Sequence, residues 1–195
     1  MGRLAPCAIP CILVALAAGC ASSPSHFYTL SATVAPVTST SKVSVAVGPV
    51  TVPAAVDQPQ IVVSTGANQV MFDEFNRWAS PLQDNIARVV AENLVAALGT
   101  PRVTLFPQTL TSDADFRVVI EVRNFDSTPG KSAALDAVWT VRRTKDGKSE
   151  TGRTSVREAV QEASYEALAA AHSRAVARMS QDIADTVKRL QEGSP

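Results

Sequence analysis

Apolar and polar positions along the chain fall into short alternating runs separated by two long helical stripes. Lys42-Val43-Ser44-Val45-Ala46-Val47 alternates, which predicts a half-buried strand ending at Gly48-Pro49. Val50 to Pro59 is punctuated by proline and reads as a loop. Gln60 to Thr65 and Asn68 to Asp73 flank Gly66-Ala67, the spacing of a hairpin. Leu82, Ile86, Val89, Val90, Asn93, Leu94 and Ala97 then recur at helical spacing. Ser80 is placed as the N-cap of that helix, Pro81 as its first residue and Gln83 as the partner in a capping box. Gly99 and Pro101 end it.

Arg102 to Phe106 predicts a short strand closed by Pro107. Phe116, Val118, Ile120 and Val122 alternate with Arg117, Val119, Glu121 and Arg123, predicting a strand to Phe125. Ala134 to Arg143 is another, and Asp146-Gly147 turns the chain into a polar partner, Ser149 to Val156, suited to an exposed face or an edge. Tyr165, Leu168, His172, Val176, Met179, Ile183, Val187 and Leu190 form the stripe of a last, long helix. This order predicts an α+β fold, a two-layer sandwich of a mostly antiparallel sheet with both long helices on one face. Residues 42–192 are expected to form a single domain. Ala21 to Ser41, rich in Ser, Thr, Pro and Ala, reads as a flexible tether around a short strand at His26 to Leu30.

The first residues have another pattern. A start carrying Arg3 leads into an apolar run, Ala8 to Ala18, interrupted by Pro10 and too short to span a bilayer. Leu16-Ala17-Ala18-Gly19-Cys20 closes it as a lipobox, small residues before a cysteine being what lipoprotein signal peptidase admits. Residues 1–19 are therefore expected to be removed as a signal peptide. The mature chain would begin at Cys20 with N-acyl and S-diacylglycerol (palmitate-type) chains, each buried methylene adding about 0.8 kcal/mol of membrane attachment. The competing reading is an ordinary secretory signal in which Cys20 is incidental. Ala21, where Asp would retain the protein in the inner membrane, points to the outer membrane, with the body facing the periplasm.

Composition changes the picture little. Basic and acidic residues number 18 each, and loss of Arg3 leaves 17 basic against 18 acidic, so no basic surplus points to nucleic acid. Cys7 and Cys11 leave with the signal, so the body has no disulfide to staple it.

A search for catalysis finds no cluster. HExxH, GxSxG, phosphate-cradling glycine loops and DxDxDG loops are absent from the sequence. His26 lies near the tether, and His172 on an apolar stripe reads as a core histidine more readily than a ligand. Asp113 and Asp115 could face a cation, but turn chemistry accounts for them better. Asp73 and Glu74 are placed to cap or to pair with Arg77. An enzyme is not expected, nor a metal or other cofactor beyond the lipid on Cys20. The stretch Phe72 to Leu82 is the most distinctive of the body. Structurally, Phe72 and Trp78 would pack under the helix entry; functionally, Arg77 and Trp78 would face a partner.

Phe27-Tyr28-Thr29-Leu30, Val47-Gly48-Pro49-Val50 with Val52-Pro53, Asp57-Gln58-Pro59-Gln60-Ile61-Val62 and Arg77-Trp78-Ala79-Ser80-Pro81-Leu82 follow the lipobox in order. Tyr165-Glu166-Ala167-Leu168, Ala171-His172-Ser173-Arg174 and Met179 to Ala184 continue the series. The ordered set resembles the ABC-type transport auxiliary lipoproteins, the paraquat-inducible protein C group in particular. That resemblance implies a non-catalytic outer-membrane lipoprotein serving an MCE-domain (mammalian cell entry) lipid transport system and supporting membrane integrity. Its partners would be the MCE protein and an inner-membrane permease or integral subunit, met through Asp57, Gln58, Pro59, Arg77 and Trp78. A homo-oligomeric ring would suit a symmetric tunnel. The alternative is a structural or assembly lipoprotein of the outer membrane without a transport role.

Overall fold

The computed structural model describes residue 2, residues 23–107 and residues 114–193. The lipobox, Cys20 and Asp113 lie outside the described residues. The chain runs β1 (His26–Tyr28), β2 (Val45–Thr51), β3 (Gln60–Gly66), β4 (Gln69–Trp78), α1 (Leu82–Leu98), β5 (Val103–Leu105), β6 (Phe116–Thr128), β7 (Ser132–Arg143), β8 (Ser149–Ala159) and α2 (Tyr165–Glu192). The fold is α+β, as predicted, with two helices that pack on each other and on the larger sheet.

Two sheets stand where one was expected. The larger has the order β5-β2-β6-β7-β8, and a smaller one has the order β1-β4-β3. The long ladders β6–β7 and β7–β8 are antiparallel, while β2 pairs in parallel with β5 and β6, and β1 in parallel with β4. β2 does not stop at Gly48-Pro49 but continues to Thr51. Gly48 takes φ +117°, a conformation open to glycine, where the register against β6 shifts between Val47 and Val50.

β6 shows why these residues make this core. Phe116, Val118, Ile120 and Val122 are buried and the residues between them exposed. A register shift between Val122 and Asn124 then moves the buried set to Phe125 and Ser127. One extra residue thus carries the inward face from even to odd positions. On α2 the predicted stripe is buried from Leu168 to Leu190, with Ala171, Ala175 and Ala184 letting the helix approach closely. A fully buried Leu, Ile or Met of this kind contributes about 1.5–3 kcal/mol.

The helix starts differ from their sequence signals. α1 has Pro81 itself at the N-cap position and no side-chain cap, so the Ser80–Gln83 box is not formed. Ser164, which the pattern did not single out, caps α2 by accepting from Ala167 N at 3.1 Å. Gly99 ends α1 in the left-handed region, φ +62°, as expected.

The segment read as spacer lies against α1. Asn85 Oδ1 accepts from Leu30 N at 3.2 Å, and Asn93 Oδ1 accepts from Thr33 N and Val34 N at 3.1 Å. Ser31 N donates to Ser173 Oγ, Val37 N to the carbonyl of Ala96 and Ser41 N to that of Gly99. Two asparagines two helical turns apart on a mostly apolar face therefore hold a strap of extended chain, since buried backbone groups need partners.

Across β7 and β8, Gly152 faces Trp139, and a Cβ at Gly152 would come within 2.3 Å of the indole ring. The ring is buried and fixed by its Nε1–H, which donates to Thr154 Oγ1 at 3.1 Å. Gly152→Ala is expected to destabilise the domain by about 1–3 kcal/mol, the usual cost of overpacking. Urea unfolding measures it; a variant as stable as the parent would show that the indole can move aside.

Candidate functional site

The residues proposed to meet a partner come together at one corner. Gln60 pairs with Arg77 at the start of β3, and Trp78 N donates to the carbonyl of Pro59 at 2.8 Å. This ties the loop to the end of β4. Val56 N and Asp57 N both donate to the carbonyl of Pro53, forming the turn that presents Asp57, Gln58 and Pro59, all exposed. Ala79 N donates to the carbonyl of Tyr28, so β1 completes the corner.

Arg77 and Trp78 part ways. Arg77 is half-exposed, its Nε donating to the carbonyl of Glu74 at 3.0 Å with the Glu74 carboxylate 4.0 Å away. Trp78 is buried, edge-on to Phe125 and to His172 with ring centroids 6.2 and 6.5 Å away. Its indole anchors the corner from inside, and Arg77 is the member of the pair that a partner could touch. Phe72, expected beneath the helix entry, is exposed instead. β4 carries it out on the hairpin, away from α1.

His172 is a core residue, as its place on the stripe suggested. Its ring stacks on Phe125 at 3.8 Å, and Nε2 lies 2.8 Å from Ser127 Oγ. Nδ1 is buried without a hydrogen-bond partner. Burial pushes its pKa down from 6.5 to about 3, so the ring is neutral at physiological pH. A neutral imidazole enclosed by Trp78, Phe125 and Ser127 packs the core. The shift at Val122/Asn124 is what brings Phe125 and Ser127 to it.

Asp73 does not pair with Arg77. Its Oδ1 accepts from Phe75 N, Asn76 N and Asn76 Nδ2 at 2.9–3.0 Å, and its Oδ2 from Tyr165 Oη at 2.6 Å. Burial acts to raise its pKa, but the hydrogen bonds from Tyr165, Phe75 and Asn76 outweigh it and hold the carboxyl below its usual range. Burial and the Asp73 carboxylate together push the Tyr165 phenol up. Tyr28 joins this knot by donating to Asn76 Oδ1 at 2.8 Å and packing on Tyr165 with centroids 5.9 Å apart. The knot links β1, β4 and α2. No periodic pattern announces it, because the four residues sit on three separate elements.

The Asp115 carboxylate accepts from Ser44 N and Ser44 Oγ at 2.8 and 2.7 Å, and Asp115 N donates to Ser44 Oγ at 3.0 Å, which ties together the starts of the parallel strands β2 and β6 rather than facing a cation site. Among the described residues no group of three or more metal-type side chains forms, and no helix is long and apolar enough to cross a membrane. An open groove of about 690 Å³ between β1 and α2 is lined by Phe27, Tyr28, Glu166 and Arg174 among others.

Residues 28–184 match the family described as the ABC-type transport auxiliary lipoprotein component. The chain belongs to that family. Among curated proteins no relative is found. Solved structures similar to this auxiliary lipoprotein in fold include the following two. A crystal structure of an uncharacterized protein is 20% identical, with TM-score 0.69, over 85% of this chain and 99% of the other. A DUF330 protein from Xanthomonas campestris is 18% identical, with TM-score 0.63, over 82% and 92%. At these identities the likeness is one of fold. The family description makes the chain a lipoprotein component auxiliary to a transport system, and an auxiliary component implies partner subunits.

Proposed function

We propose that this auxiliary lipoprotein is a non-catalytic accessory subunit of an MCE-type intermembrane lipid transport system, anchored in the outer membrane by the acyl chains on Cys20. It faces the periplasm and docks the MCE tunnel there, while an inner-membrane permease or integral subunit works at the other end, and it thereby supports membrane integrity. The observation that carries this reading is the exposed Asp57-Gln58-Pro59 ledge beside Arg77, fixed from within by buried Trp78, on a chain of a transport-auxiliary family. A rigid ledge beside an arginine is what a protein partner can grip at low entropic cost. Several copies in a closed ring would match a symmetric tunnel.

Site-specific photocrosslinking in living cells tests it. A photoreactive residue at Gln58 is expected to trap an MCE-domain protein, and one at exposed Glu162 is expected to trap none. Crosslinks from position 58 to outer-membrane assembly factors alone would replace the transport role with an assembly role.

A further inference from the structure

The β3–β4 hairpin reaches beyond the core. On its returning strand, β4, Val70, Met71 and Phe72 are 52%, 47% and 47% exposed. Successive strand residues point to opposite faces, so just behind the uncharged turn Thr65 to Gln69 the hairpin shows half-exposed apolar side chains on both faces. Exposed Phe75 follows on β4, and Phe27 on the paired β1 is 65% exposed. Scattered exposed apolar residues mean little, but a contiguous group marks a contact surface. Between Asp57 and Asp73 the sequence has no charged residue, whereas the exposed positions of β6 and β8 include Arg117, Glu121, Arg123, Arg153 and Arg157.

The direction of β1 says what lies against this tip. β1 is parallel to β4, with His26 opposite Asn76 and Tyr28 opposite Trp78. The chain before His26 therefore leaves along the line of β4 toward Gln69, the tip end. From Asn76 back to Gln69 the strand covers at most about 23 Å. From His26 back to Cys20 the chain can span at most about 20 Å. A lipid on Cys20 can thus lie no further along that line than about the level of the hairpin tip.

We infer that the β3–β4 tip dips into the lipid bilayer that holds the anchor, with Val70, Met71 and Phe72 at the boundary of headgroups and acyl chains. The inference rests on acylation of Cys20. An apolar segment without charge enters that boundary favourably. The backbone behind the turn is already paired, Val62 with Phe72, Val63 with Met71 and Ser64 with Val70, so insertion strands few backbone groups, and Thr65, Asn68 and Gln69 of the turn meet the polar headgroups. Three contacts fixed together, anchor, tip and the short tether, set the tilt of the domain and aim the Asp57 ledge away from or along the membrane in one fixed way.

The test uses the full lipidated protein with Met71→Cys labelled by an environment-sensitive fluorophore, the acylated Cys20 offering no thiol. The protein is reconstituted into vesicles of phosphatidylethanolamine and phosphatidylglycerol, and Val119→Cys on the exposed face of β6 serves as the comparison. Flotation first shows whether the protein is held by the vesicles. For floated protein, the label at position 71 is expected to shift to the blue and to lose most of its emission to lipids spin-labelled near the headgroup, and the label at position 119 to do neither. An unquenched label at position 71 on floated protein overturns the inference while leaving the anchor intact. A label shielded from aqueous iodide but not quenched by lipid, and dependent on protein concentration, overturns it in favour of a second copy. Failure to float removes the anchor itself and the inference with it.

Discussion

Gly99→Ala is expected to lower the stability of the domain by about 3 kcal/mol or more, near the top of the range for single substitutions. Two costs add at this position. Gly99 holds φ +62°, where a residue with a Cβ loses about 1 kcal/mol or more. The added Cβ would also lie 1.9 Å from the carbonyl oxygen of Ser39, and that neighbour is backbone, which cannot rotate away. The strap must lift, and with it go the bonds from Ser41 N to Gly99 and from Val37 N to Ala96. For a domain of this size the change corresponds to a fall in Tm of about 6–12 °C. Gly99→Asn separates the two costs, because Asn tolerates the left-handed region yet carries the same Cβ. Both variants should melt far below the parent; an Asn variant close to it would mean that the strap yields cheaply.

The second large effect is acid sensitivity from a single residue. His172 is neutral in the folded state, its pKa pushed by burial from 6.5 down to about 3. The unfolded chain binds the proton at 6.5 and the folded chain does not, so the contribution is complete above pH 6.5 and is lost as pH falls toward 3. The slope in that window is about 1.4 kcal/mol per pH unit, which makes about 3 kcal/mol by pH 4.5. The groups facing the ring, Trp78, Phe125 and Ser127, do not titrate there. Below the ordinary carboxylate value, Asp73, Asp136 and Asp146 add losses of the same sign, since each is held below 3.8 and Asp146 is down at about 2. His172→Gln keeps a group for Ser127 and removes the titration. Urea midpoints between pH 7 and 4.5 should fall much less steeply for that variant; parallel curves would place the acid sensitivity elsewhere.

Much of the fold was legible because its signals are local. The alternation of Phe116 to Val122, the stripe from Leu168 to Leu190 and the stop at Gly99 each report a burial pattern that the structure keeps. What escaped is non-local. β4 runs on to Trp78 because it gains β1 as a partner, and that pairing joins residues separated by the whole of β2 and β3. The second sheet follows from the same pairing. The strap from Leu30 to Ser41 has the composition of a spacer, and only Asn85 and Asn93, polar positions spaced along a mostly apolar helix face, hinted that something polar would be received there. At the corner, the sequence could not tell the inward Trp78 from the outward Arg77, since adjacent strand residues face opposite ways and nothing local says which side is the core.

The most direct measurement is affinity capture of the lipidated protein from detergent-solubilised envelopes, with mass spectrometry of what accompanies it and with Cys20→Ala as a paired sample. An MCE-domain protein is expected in comparable amount to the bait, and the Cys20→Ala chain is expected no longer to sediment with outer membranes. Recovery of outer-membrane assembly factors without an MCE protein would rule out the transport role, and an unchanged membrane fraction for Cys20→Ala would rule out the anchor.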